Sequence, residues 1–452
     1  MFPARAVLRQ HNYRLFVSSQ VFANTGVWMQ RIAQDWLVLS LSGSVTAVGI
    51  TSTLQFAPVV LFGMFGGVLA DRYSKRMLLI ITQGAAAVLA TVLAVLTFTG
   101  TIQVGHVYII ALVLGLVTAV DSPARQVFVP ELVGREHLRA AVSINSSVFQ
   151  LGGLVGPAVG GLVIATFGEG WAFAANAVGC VVVVSMLIRV RPGLLHRLPT
   201  SPRAPGQLRV GLRYVRASPP ILWSIVVVGT VGILSLNLPV ILAAFADRVY
   251  NSGAGGFGTF NAMIAVGGVL GAITATRQQT NRMRNLVTMA GVLGLVLALA
   301  ALAPSATTFS VALVLVGMAT LRVLIAAHLL VQLGTDLALQ GRVMGIYLLV
   351  QLGGRAVGGP VVGVASEALG ARASLLICGL AMVGVTVLVG IVLARLGSLR
   401  LSLRRPRAID LRLFTITPQV PVEQADAARP GDAVSPADAV RPAVADHHSP
   451  SA

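Results

Sequence analysis

Charge is scarce in this chain, and long stretches have none. Asp, Glu, Lys and Arg together make up 11% of its 452 residues, against about 25% in an average soluble domain. None of the four occurs in 77–120, 217–246, 285–321 or 373–394. A bilayer core about 30 Å thick is crossed by roughly 20 mostly apolar residues. Backbone in lipid must bond within its own segment, so these runs read as spanning helices and not as a soluble core. Lysine is nearly missing: Lys75 is the single example, and arginine carries the net charge of +18. The arginines sit at the ends of apolar runs, which argues against a nucleic-acid partner and for membrane lipid headgroups. Cysteine is limited to Cys180 and Cys378, each inside an apolar run, so a disulfide framework is not implied. There is no GxxxxGK[ST] loop and no gap long enough for a nucleotide-binding domain, so uphill movement of a solute would be secondary transport. No HExxH, GxSxG or Cys–His cluster occurs, so no enzyme chemistry, metal or cofactor is expected.

What is present fits twelve spanning helices, with cores near 15–40, 46–69, 77–99, 106–126, 140–166, 171–189, 220–245, 254–276, 285–303, 306–333, 342–366 and 373–395. The first is preceded by a basic stretch but is too long and too polar for a cleaved signal peptide, so it reads as a retained helix. Basic residues fall in alternate gaps. The gaps at 41–46, 100–105, 167–170 and 303–306 have none, while Asp247/Arg248 and Glu367/Arg372 cancel. The bias places both termini in the cytoplasm. The gap 191–218 is rich in Pro and Arg and then alternates apolar residues with Arg209, Arg213 and Arg216, which predicts a linker ending in a short interfacial helix. It divides the chain into a six-helix half at 1–190 and another at 219–398; the segment 399–452 is expected to be a disordered cytoplasmic tail. The halves repeat: at an offset of 203, Arg139, Gly156, Pro157 and Gly160 fall on Arg342, Gly359, Pro360 and Gly363. Parallel six-helix repeats with the solute path between them are a transporter architecture.

The junction of the second and third helices reads Gly67-Val-Leu-Ala-Asp71-Arg72-Tyr-Ser-Lys75-Arg76. It resembles the GxLaDrxgrkp signature of the major facilitator superfamily. That resemblance implies an all-α membrane fold of twelve helices in two pseudo-repeats, and a conformational latch at Gly67, Asp71, Arg72 and Arg76. Gly67 permits close helix approach, and Asp71 can accept charge-assisted hydrogen bonds; the plainer reading is a polar turn set by the positive-inside rule. The fifth helix carries Gly152-Gly153-Leu-Val-Gly156-Pro157-Ala-Val-Gly160-Gly161, which resembles the antiporter motif of drug-exporting facilitators and is also an ordinary packing face of small residues. Met29-Gln30, Trp36-Leu37-Val38-Leu39, Asp121-Ser-Pro123-Ala-Arg125-Gln126 and Pro130-Glu131-Leu132-Val133 together resemble the branch holding the enterobactin exporter and actinobacterial tetracycline and macrolide exporters. The basic motif that many proton-coupled antiporters of the superfamily carry in the fourth helix is absent here, so the resemblance assigns no proton route.

Candidates for that route are acids within helices, where charge is costly and usually functional. The first helix places Gln20, Asn24, Trp28, Arg31 and Asp35 on one stripe, facing a central cavity. Asp35 and Arg31 are close enough to pair, either as a structural pair or as a coupling site. Asp121 is the rival, on a fourth helix that must run to about residue 126 to span; its alternative role is a network with Arg125 and Arg322. Arg322 and His328 in the tenth helix, Tyr347, Gln351 and Arg355 in the eleventh, and Asn145, Asn237 and Asn261 complete the cavity candidates, with His328 and the asparagines equally suited to packing. Two arginine-bearing helices suggest an anionic or zwitterionic solute, to be tested with Arg355→Ala. The expected protein is a monomeric bacterial inner-membrane transporter exchanging protons for a small amphipathic compound such as a drug, antibiotic or siderophore. The alternative is a proton-coupled nutrient importer. A membrane-embedded enzyme or receptor lacks any convergent set of groups.

Overall fold

The computed structural model describes residues 7–134, 136–196, 207–275, 283–336 and 339–395, and two short strands at 402–403 and 414–415. Six long helices come first: α1 (His11–Ser42), α2 (Val45–Arg72), α3 (Lys75–Phe98), α4 (Val104–Val133), α5 (Leu138–Phe167) and α6 (Glu169–Arg189). A short helix α7 (Gln207–Ala217) follows. The seventh span is α8 (Pro219–Leu234) plus α9 (Leu238–Ala244), and then come α10 (Gly253–Ala275), α11 (Met283–Ala301), α12 (Ala306–Leu333), α13 (Gln340–Leu369) and α14 (Ala371–Arg395). Among the described residues, eleven helical segments are long and apolar enough to cross a bilayer, with α8 and α9 taken together. α1 has the length, 32 residues, but its polar stripe dilutes its hydropathy. The helices up to residue 392 form one compact unit. In the second unit, strands Ser402–Leu403 and Phe414–Thr415 pair antiparallel; the rest of the expected disordered tail lies outside the described residues.

Two elements differ from the sequence expectation. α4 continues through Pro123 and Pro130 to Val133, beyond the expected end near 126. Each proline removes one N–H, but the helix is closed by Gly134 at φ 70, whose N–H reaches the Pro130 carbonyl at 3.0 Å. The seventh span, expected as one helix, breaks at residues 235–237. Pro239 has no N–H for the Ser235 carbonyl, which the Leu238 N–H reaches at 3.2 Å instead, and the Asn237 amide takes over the Gly232 and Ile233 carbonyls left open by the break, each at 3.0 Å. After α9 the span ends in a wide turn of π-type, Phe245–Val249. The anticipated interfacial helix is α7. Val215 is buried, the Tyr214 hydroxyl reaches the carbonyl of Gly334 at the end of α12 at 3.5 Å, and α7 also packs on α13. Residues 197–206 of the expected linker lie outside the described residues.

The core is local to helix groups. Tyr13, Phe16, Leu79, Phe128, Val183 and Leu187 lock α1, α3, α4 and α6 together. Phe245, Tyr250, Phe260 and Phe309 stack among the turn after α9, α10 and α12, with Phe245 and Phe309 at 4.3 Å. The first six helices meet the last six mainly along two seams, α2 on α13 and α5 on α10. A six-helix shift exchanges these pairings, as a pseudo-two-fold requires.

Candidate functional site

The polar stripe of α1 divides in two. Its upper part forms a charged cage with α2 and α13. The Arg31 guanidinium lies 5.0 Å from the Trp28 ring centre and 4.6 Å from that of Phe56. The Arg355 guanidinium lies 5.1 and 4.6 Å from the same two rings. Such distances fall within cation–π range. One cation comes from the first six helices and one from the last six, and both use one aromatic platform. Asp35, one turn beyond Arg31, is buried, and its Oδ1 has no hydrogen-bond partner among the described residues. Arg355 Nε is likewise buried without a partner. The Asp35–Arg31 pair that spacing allows is not formed in this conformation, because Arg31 turns to the rings.

The lower part of the stripe belongs to a different network, centred on Asp121. Asp121 accepts from Thr82 Oγ1 at 2.7 Å and from Gln83 Nε2 at 3.1 Å through one oxygen. Its other oxygen is ion-paired with Arg125, which also donates to Gln20 Oε1. Both carboxylate oxygens are therefore satisfied, by α3 and α4, while Gln20 ties the set to α1. Asn24 donates to the Gln20 carbonyl at 2.8 Å and so sits between network and cage.

Helix α5 is seated on the cage. A Cβ on Gly152 would strike Asn24; on Gly156 it would lie 2.6 Å from Trp28 Cβ and 2.8 Å from the Thr25 carbonyl; on Gly160 it would lie 3.1 Å from Met29 Cα. Gly161 meets Gly258 of α10 backbone to backbone. The glycines flanking Pro157 thus let α5 press on α1 at Asn24, Thr25, Trp28 and Met29, against the Trp28 side chain. In the echo on α13, Gly359 faces Gly49, and Gly363 faces Val45 and Thr46.

Other expected positions are more scattered. Gln351 and Asn145 are half-buried on α13 and α5, and Arg322 on α12 holds a buried Nε without a partner. Tyr347 is not a cavity residue: it is buried, its hydroxyl reaches the Leu324 carbonyl at 3.4 Å and its ring meets His328 edge-on at 5.6 Å, tying α13 to α12. Asn237 accepts from Ser52 Oγ at 3.3 Å, while Asn261 caps the Phe257 carbonyl within α10. In the latch segment Gly67 is buried, Asp71 half-buried and Arg72 exposed. Arg76 donates to the Leu187 and Ile188 carbonyls at 2.9 and 2.7 Å, which caps the end of α6.

Sequence reasoning missed three participants. Phe56 is one apolar residue among many on α2. Glu367 and Arg248 read in the sequence only as charges that cancel against Arg372 and Asp247. In the structure the Glu367 carboxylate accepts from Ser44 Oγ at 2.8 Å and from the Thr46 N–H at 3.0 Å, at the N-terminus of α2, where the helix dipole favours an anion. Arg248 donates to the carbonyl of Gly43, the left-handed residue that ends α1. With Thr53 Oγ1 on the Ala356 carbonyl at 2.7 Å and Trp36 stacked on Phe257 at 5.4 Å, these contacts join the two sets of helices near the turn between α1 and α2.

Comparison with known proteins follows the same lines. The sequence profile of the transmembrane secretion effector family matches residues 3–406. The staphyloferrin A transporter of Staphylococcus aureus is 25% identical over 265 residues, which is 58% of this chain and 66% of that protein, just under two thirds of its length. The enterobactin exporter EntS of Escherichia coli is 26% identical over 366 residues, covering 80% of this chain and 86% of that one. Among solved structures, a bacterial homologue of the human lysosomal transporter Spinster, inward-facing and occupied, superposes with a TM-score of 0.66 at 14% identity over 87% of this chain and 98% of that one. The nucleoside transporter NupG gives 0.63 at 14% identity over 84% and 98%. At these identities the likeness establishes the fold.

Proposed function

We propose, on the premise that this chain belongs to the transmembrane secretion effector family and is a major facilitator transporter and not an enzyme, that it exports a small amphipathic compound in exchange for protons. It is a multi-pass bacterial membrane protein. In this reading both termini are cytoplasmic, the protein acts as a monomer, and residues 1–190 and 219–398 are the two halves that rock about the solute.

One observation carries the coupling: Asp35 is a buried carboxyl with a bare oxygen beside two cations, whereas Asp121 has every oxygen satisfied. A carboxyl that must gain and lose a proton in each cycle needs a site where neither form is locked by fixed donors. Asp121 holds α3, α4 and α1 together; Asp35 exchanges the proton. Glu367 and Arg248 clasp the outward side, and the Gly67–Arg76 segment is the counterpart on the cytoplasmic side. Export is supported by the relative named as an exporter and by the α5 glycines.

The test is solute accumulation in inverted vesicles holding the protein. Acidifying the lumen should drive accumulation of an exported compound, and a protonophore should abolish it. Accumulation only in right-side-out vesicles with an acid exterior would establish import instead.

A further inference from the structure

We infer that the cage is a clamp for an organic acid, and that a cargo exchanged for protons must also present a hydrogen-bond donor to Asp35; this rests on the transport reading above. Arg31 and Arg355 outnumber the single carboxylate they act on, Asp35. The charged groups acting on Asp35 are Arg31 on its own helix and Arg355 on α13. Of the other packed neighbours, α2 before residue 71, α5 from 140 to 167, α6 from 170 to 188, and α9 contain no Asp, Glu, Lys or Arg, and the charges of α4, which also packs on α1, are engaged elsewhere: Asp121 and Arg125 with each other and Gln20, and Glu131 with Lys75. The cage is therefore singly positive with Asp35 ionised and doubly positive with Asp35 protonated. A buried excess of cation calls for an anion. Guanidinium groups match the planar fork of a carboxylate, and the Nε of Arg355 is a buried donor with nothing to donate to. One arginine comes from each half, so an acid bridging them draws the halves together.

The same arithmetic constrains the coupling. A plain acid binds better when Asp35 is protonated, so acid and proton would travel in the same direction. Exchange needs cargo and proton to compete. They do so if a cargo O–H or N–H donates to Asp35 Oδ1: the Asp35 carboxyl gives its proton to water, and the bare carboxylate accepts the cargo's hydrogen bond in its place.

Equilibrium binding to the purified full-length protein, with no gradient, tests this using three radiolabelled probes: 3-hydroxybenzoate (acid and donor), benzoate (acid alone) and 3-hydroxybenzamide (donor alone). The amide should bind at least about tenfold more weakly than the hydroxy acid, and Arg31→Gln and Arg355→Gln should each cost the acids about tenfold, the scale of a charge-assisted contact. Arg355→Lys should recover part of the binding, which separates charge from misfolding. Acidification from about pH 8 to about pH 6 should tighten benzoate and weaken 3-hydroxybenzoate, and Asp35→Asn should abolish both responses. Equal binding of amide and acid, no binding of any probe, or identical pH responses of the two acids would overturn the inference. Charge-selective binding without gradient-driven transport would instead refute proton coupling and leave the clamp standing.

Discussion

At the scale of single residues, two buried aspartates of similar sequence appearance have different surroundings. Asp121→Asn removes an ion pair and an acceptor from a partly buried network, so thermal unfolding should show a loss of about 1–3 kcal/mol while gradient-driven transport persists. Complete loss of transport in a variant that remains folded would move the coupling role to Asp121. The stripe on α1 was legible, because polar residues three and four apart in a lipid-spanning segment must turn away from lipid. Its division was not. Whether Gln20 joins Asp121 or Arg31 depends on which helices pack there, and Thr82 and Gln83 lie on a helix distant in sequence. Phe56 carried no signal at all, since an aromatic residue in an apolar helix reads as lipid-facing or core until α13 brings Arg355 to it.

At the scale of elements, the α5 glycines and the break in the seventh span make opposite demands. Gly156→Val would force a side chain into Trp28 and the Thr25 carbonyl. Overpacking of this kind costs about 1–3 kcal/mol, and it should lower both the melting temperature and cargo binding, because the displaced ring is half of the cage platform. Unchanged binding would show that α5 does not set the ring. Asn237→Ala leaves the Gly232 and Ile233 carbonyls and Ser52 Oγ without their partner, at about 1–3 kcal/mol for the uncompensated groups. Differential scanning calorimetry should register that loss. The glycine–proline pattern was readable as close packing, and its partner helix became clear only in three dimensions. The break at 235–237 carries no signal in the sequence, because proline is tolerated in spanning helices and it is the fold that brings the Asn237 amide to the open Gly232 and Ile233 carbonyls.

For the whole molecule, twelve spans and a pseudo-repeat follow from charge-free runs and the positions of arginine, whereas the contacts of Glu367 and Arg248 with the turn between α1 and α2 do not. Glu367 and Arg248 sit in gaps whose charges sum to zero, and a rule that counts charge says nothing about where each points. Glu367→Ala should remove about 1 kcal/mol from the closed state, a shift of about fivefold in the open population. Faster maleimide labelling of Val45→Cys, in a background lacking Cys180 and Cys378, would report it; an unchanged rate would deny the clasp. The most direct test of proton exchange at Asp35 is to compare gradient-driven accumulation with cargo–cargo exchange in the same Asp35→Asn vesicles. Abolished accumulation with exchange preserved is the predicted result. Accumulation at the native level would contradict it.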